Sequence, residues 1–130
     1  MFRWIWTLFF GKRLDEVLDL ERTIRVRGVR FKIRKINVLN YLDGSKVMLQ
    51  HFDIYKTALA EGRDATQSQA KIKEHLIDVI MAGVVTPKLS RKEGEGVLVD
   101  KLFNDWDLVN GLYENIMALA YGKKKLSPTH

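Results

Sequence analysis

The feature that most constrains this chain is an alternation of apolar and basic residues over positions 22–36. Ile24 and Val26 alternate with Arg25 and Arg27. After Gly28 the phase moves by one residue, and Val29, Phe31 and Ile33 alternate with Arg30, Lys32 and Arg34. Successive side chains of a strand point to opposite faces, so the pattern predicts β structure with one apolar and one basic face. A phase shift at a glycine predicts a bulge or a tight turn. The predicted element is a hairpin or short antiparallel sheet near residues 22–37, of two or three strands, with the N-terminal segment as a candidate partner.

The rest of the chain has helical periodicity. Leu14, Val17, Leu18 and Leu20 mark a short helix over 12–21, with Asp15, Glu16 and Asp19 outside it. Val47, Met48, His51, Phe52, Tyr55 and Leu59 predict a helix over much of 38–61, starting near Asn40 or Asp43 and stopping at Gly62. Ile72, Leu76, Val79 and Ile80 predict another over 66–82, with Gly83 placed as its C-cap. A polar loop over 90–96 leads to a short helix over 97–103. The last helix starts at a cap on Asn104 or Asp105 and ends at Gly122, with Val109, Leu112, Tyr113, Ile116 and Ala120 facing inward. The expected fold is α+β and mostly α, a small sheet followed by a bundle of about four helices. At 130 residues, 46% apolar and 29% charged, the chain fits a single domain over 1–130. Within it, residues 1–11 form an apolar aromatic N-terminal arm and residues 123–130 a frayed basic tail.

That arm carries Trp4, Trp6, Phe9 and Phe10. It is too short to span a bilayer, which takes about 20 apolar residues, and no small-residue cleavage site follows it. Three readings stand: it packs on its own core, docks into a partner protein, or lies at a membrane interface.

Motifs for chemistry are scarce. No P-loop, G-x-G-x-x-G, G-x-S-x-G or H-E-x-x-H is present. There is no cysteine, which excludes disulfides, thiolate metal sites and thiol catalysis. His51 and His75 sit on helical apolar faces, where histidines are usually structural. The carboxylates Asp100, Asp105, Asp107 and Glu114 are read as helix caps and dipole charge. The expectation is therefore no catalytic residue, no metal and no cofactor, in a protein that works by binding.

The net charge is +6 and the isoelectric point about 9.6, which suits an acidic partner or simply keeps the chain in solution. Arg25, Arg27, Arg30, Lys32 and Arg34 form the candidate anion-binding row, able to contact phosphates. Phe31 falls on the apolar side, so base stacking has no support there, and a solvated sheet face with charged edge protection is the favoured reading of the row.

Between positions 73 and 119 the chain resembles a known family. The residues are His75-Leu-Ile-Asp-Val-Ile-Met-Ala-Gly-Val-Val-Thr-Pro-Lys-Leu89, then Val97-Leu-Val-Asp-Lys-Leu-Phe-Asn-Asp105, then Leu108-Val-Asn-Gly-Leu-Tyr-Glu-Asn-Ile116. This is similar to the tail assembly chaperones of long-tailed bacteriophages, and Phe31-Lys-Ile-Arg-Lys-Ile-Asn37 resembles the strand that opens their helical part. The resemblance implies a protein of the host cytoplasm that coats the unassembled tape-measure protein until tail tube subunits displace it. It implies an apolar helical binding surface, for which Leu76, Ile80, Val84, Val85, Leu108, Leu112 and Ile116 are the candidates. Such chaperones are commonly made in two lengths by a frameshift, and Gly122-Lys-Lys can be encoded by a slippery heptamer. The aromatic arm departs from that family. It supports a second expectation, a structural tail or connector protein of the virion docked through Trp4, Trp6, Phe9 and Phe10. A basic nucleic-acid-binding adaptor is a third expectation, and self-association into a homo-oligomer is compatible with each.

Overall fold

In the computed structural model, residues 20–122 are described. The fold is α+β and mostly α. It opens on β1 (Glu21–Val26) and β2 (Val29–Arg34), paired antiparallel from Glu21 opposite Arg34 to Val26 opposite Val29. The connection is two residues, Arg27 and Gly28, with φ of 53° and 77°. Two positive φ values give a type I′ turn, whose twist matches that of the strands. The phase shift at Gly28 is thus a tight turn and not a bulge. Arg27 holds a conformation that favours glycine or asparagine. Its Nε donates to Asp105 Oδ2 at 3.0 Å, anchoring the turn to the start of the last helix.

The third strand, β3 (Val84–Thr86), pairs antiparallel with β2, with a register irregularity between Lys32 and Ile33. The sheet order is β1-β2-β3. Its third strand therefore comes from sequence far downstream and not from the N-terminal segment, whose residues 1–19 lie outside the described ones. Of the helix expected over 12–21, Glu21 instead begins β1, and positions before 20 are not described.

A 3₁₀ turn (Val38–Tyr41), capped by the Asn37 side chain on Leu39 N, leads into α1 (Leu42–Ala60). Gly62, at φ 69°, ends that segment. The Asp64 side chain accepts from Thr66 N at 3.0 Å at the start of α2 (Thr66–Gly83). Two short strands, β4 (Leu89–Ser90) and β5 (Val97–Leu98), pair parallel. A second 3₁₀ turn (Val99–Asn104) and α3 (Trp106–Ala120) complete the described chain. The helix expected over 97–103 is thus a two-residue strand plus a 3₁₀ turn, because Val97 N bonds to Lys88 O at 2.9 Å. Asp105 caps α3 as expected, accepting from Leu108 N. No described helix is long and apolar enough to cross a membrane.

α3 lies between the inner sheet face and α2. Val109, Leu112 and Ile116 are fully buried there, with Val79 and Ile80 of α2 and with Phe31 and Ile33 of β2 almost fully so. Two glycines make this approach close enough. A Cβ on Gly111 would stand 2.6 Å from Val26 Cγ1, and one on Gly83 would stand 2.6 Å from Ile116 Cγ2. Gly83 is the last residue of α2, and Val84 after it is extended, so its role is helix contact and not the C-cap the sequence suggested.

Gly111→Ala separates two opposed effects. Helix propensity alone favours alanine by about 1 kcal/mol. The clash with Val26 costs about 1–3 kcal/mol in a packed site. Urea unfolding is expected to show net destabilisation, relieved when Val26→Ala is added.

Candidate functional site

α1 is the outermost helix of the described chain. It packs on α2, and of its 19 residues only Met48 and Ala58 are buried. Its free sides carry large apolar residues. Leu42 and Leu49, seven apart and so on one face, are 47% and 63% exposed, and Leu39 in the preceding turn is 74% exposed. Val47, Ile54 and Leu59 are exposed too. A helix with one packed seam normally turns polar residues outward. This one does so only in part.

Beside α1 runs a groove of about 590 Å³. Phe52 and Tyr55 of α1 form one wall, Phe103 and Trp106 the other, and Ile72 and Leu76 of α2 the floor, with Gln69 and Lys73 alongside. Leu59 extends the Phe52–Tyr55 stripe by one turn. The rim is polar and mutually satisfied. Gln69 Nε2 donates to Tyr55 Oη at 3.3 Å, and Lys73 pairs with Asp100 while lying 5.2 Å over the Phe103 ring. Trp106 is half exposed, so the groove is lined by aromatics and open to solvent. Rigid aromatics around an apolar floor suit an apolar side chain or helix edge more than a polar substrate.

The α1–α2 seam is polar at two places. Ser45 Oγ of α1 meets His75 Nε2 of α2 at 3.2 Å, and His51 Nδ1 of α1 meets Ser68 Oγ of α2 at 3.1 Å. Tyr113 Oη of α3 reaches the same His75 Nε2 at 3.3 Å, with the two rings edge to face. Burial holds the His75 imidazole below its ordinary pKa, against a smaller opposing pull from Asp78. Burial also raises the Tyr113 phenol. A serine beside a histidine invites comparison with acyl transfer, and among the described residues no carboxylate is hydrogen-bonded to the other ring nitrogen, Nδ1. Here Gly44 abuts Nδ1 so closely that a Cβ would stand 2.5 Å from it. The arrangement ties three helices together in one register. Among the described residues no group of three acidic or histidine side chains is placed to hold a metal ion.

The sequence-predicted binding residues are placed differently from expectation. Leu76, Ile80, Val84, Leu112 and Ile116 are buried in the core, and Val85 and Leu108 are half-buried. A partner cannot touch the five core side chains while the domain is folded, except that Leu76 floors the groove. Trp4, Trp6, Phe9 and Phe10 lie outside the described residues. Arg25, Arg30, Lys32 and Arg34 are exposed on the outward sheet face, whereas Arg27 sits in the turn, paired with Asp105. Sequence reading missed the groove walls Phe103 and Trp106 and the outer residues Leu39, Leu42 and Leu49. The signal was present for the last two, since Leu42 and Leu49 repeat every two turns, off the Met48 stripe.

The buried His75 gives a pH dependence of known sign. Its folded pKa lies below the ordinary value near 6.5, so the unfolded chain binds the extra proton first. Stability is full above about pH 6.5 and falls as pH drops towards the folded pKa. Urea midpoints between pH 5 and 8 are expected to show this fall, and His75→Gln is expected to flatten it. Comparison with family models, with curated proteins and with solved structures found no match for this chain.

Proposed function

We propose that this protein is a non-enzymatic assembly chaperone of the long-tailed bacteriophage type, which binds the unassembled tape-measure protein in the host cytoplasm. The observation that carries the reading is the exposed apolar side of α1 next to the aromatic groove. The tape-measure protein is a long helical chain with apolar faces, and helix-in-groove recognition uses such a surface. The sequence resemblance over residues 73–119 supports the same reading. That segment covers most of α2, the Val84–Thr86 strand, the loop and nearly all of α3, and it supplies Leu76 of the groove floor and the Phe103–Trp106 wall.

The mechanism is mass action. Binding the free chain lowers the concentration of its aggregation-prone form, and tube subunits displace the chaperone by burying the same apolar stripe. The client surface is Leu42 and Leu49 on α1 with Phe52, Tyr55, Phe103 and Trp106 around the groove.

The test is co-expression with the tape-measure protein, reading how much of the client stays soluble and co-purifies. Each exposed leucine or aromatic contributes about 1.5–3 kcal/mol when buried. Leu42→Ser with Leu49→Ser, or Trp106→Ser alone, is therefore expected to weaken capture at least about tenfold, with helical content retained and the capture read under conditions where each variant is fully folded. Undiminished capture by both variants would remove this surface from the proposal. Stoichiometric presence of the chain in purified mature particles would overturn the chaperone reading in favour of a virion component.

A further inference from the structure

The positive charge of this protein is concentrated on one hairpin. Residues 21–35 hold seven of the 22 basic residues and one of the 16 acidic ones. Removing them leaves fifteen of each, so the chain's +6 is the hairpin's own charge and the remainder balances. General solubility would not require that distribution.

The strand register places these charges. The outward face presents Glu21, Thr23 and Arg25 on β1 opposite Arg34, Lys32 and Arg30 on β2, all exposed. Arg25 and Arg30 stand directly across from one another, an arrangement of like charges that destabilises a sheet. Neither has a hydrogen-bond or ion-pair partner among the described residues. Lys32 pairs with Glu21 at 3.2 Å, and Arg34 Nε donates to Ala82 O at 2.9 Å. Two opposed, unneutralised guanidinium groups beside a third cation form a ready anion cradle, since each guanidinium can bind phosphate through two parallel N–H bonds.

We infer that the outward face of the β1–β2 hairpin is a sequence-independent binding site for the phosphate backbone of nucleic acid, centred on Arg25 and Arg30 and extended by Lys32. The composition of the face selects this class of ligand over an acidic protein. It has no apolar side chain to anchor a protein interface, whose centre is normally desolvated and apolar. Backbone contact with nucleic acid needs no such anchor, because counterion release supplies its free energy. The face also has no aromatic residue, Phe31 being buried on the other side, so it reads no base by stacking. The site lies on the sheet, apart from the α1 groove, and does not depend on the chaperone reading.

The test is fluorescence anisotropy of the full chain with a labelled 20-base-pair duplex of mixed sequence, across a salt series. Three phosphate contacts predict a log–log salt slope near −3, which is a loss of about 40-fold between 50 and 200 mM salt. Arg25→Gln with Arg30→Gln is expected to bring the slope to about −1 and to weaken binding about tenfold or more at 50 mM. Both side chains are exposed, so the urea midpoint of that variant is expected to be unchanged or higher. Lys123→Gln, Lys124→Gln and Lys125→Gln together form the control and are expected to leave more of the affinity than the hairpin variant does. Absence of binding at 50 mM salt overturns the inference. So does binding that the hairpin variant retains and the tail variant loses. If polyglutamate binds as tightly as the duplex and with the same loss in the hairpin variant, the face is a protein-docking site and the nucleic-acid assignment fails.

Discussion

The burial of α3 is the constraint on which the other elements depend. It contacts both the sheet and α2, and its Val109, Leu112 and Ile116 are fully buried in the core they share. Such a central helix needs close approach on two sides. Gly111 provides it towards Val26 of β1, and Gly83 provides it towards Ile116 from α2. The Asp105 carboxylate then performs two tasks at the start of α3. It caps the helix on Leu108 N and holds Arg27, so the hairpin turn and the central helix share one side chain. Arg27 keeps this carboxyl below its usual range, which keeps the cap charged into acid.

α1 is attached differently. It packs mainly on α2, and that seam contains two serine–histidine contacts as well as Met48 and Ala58. Apolar packing alone specifies register weakly, because neighbouring apolar groups are nearly interchangeable. Polar pairs specify it strongly, because a displaced pair leaves buried groups without partners. Every buried polar side-chain atom among the described residues has a partner. The outer helix is therefore held in a defined position while most of its surface stays free. A binding surface benefits from that arrangement, since a preorganised face loses less entropy when it binds.

Much of the fold was legible in the sequence. The alternation of Ile24, Val26, Phe31 and Ile33 with basic residues predicted the ribbon and its buried side, and Gly28 marked the turn. The stripes beginning at Val47 and Ile72 located α1 and α2, and the Asp105 cap located α3. Local patterns succeed here because each arises from contacts within one element or from a single apolar face. The failures share a cause. Gly83 has the sequence setting of a C-cap, but the nearness of Ile116 decides its use. The 97–103 segment has helical composition, but the bond from Val97 N to Lys88 O draws its first residues into a strand. The candidate binding residues Leu76, Ile80, Val84, Leu112 and Ile116 are apolar and well patterned, which is also what core residues look like.

By itself the sequence determined the basic and apolar faces of the hairpin, the positions of the three described helices and the concentration of charge near residues 21–35. These follow from residue type and from the periods of strand and helix, which are properties of the local chain. Only the tertiary structure decided that β3 comes from beyond α2, that Arg25 and Arg30 have no ion-pair partner among the described residues, and that Phe52, Tyr55, Phe103 and Trp106 converge on one groove. Those outcomes depend on which apolar faces meet, and a face's periodicity states that it will be buried without stating against what.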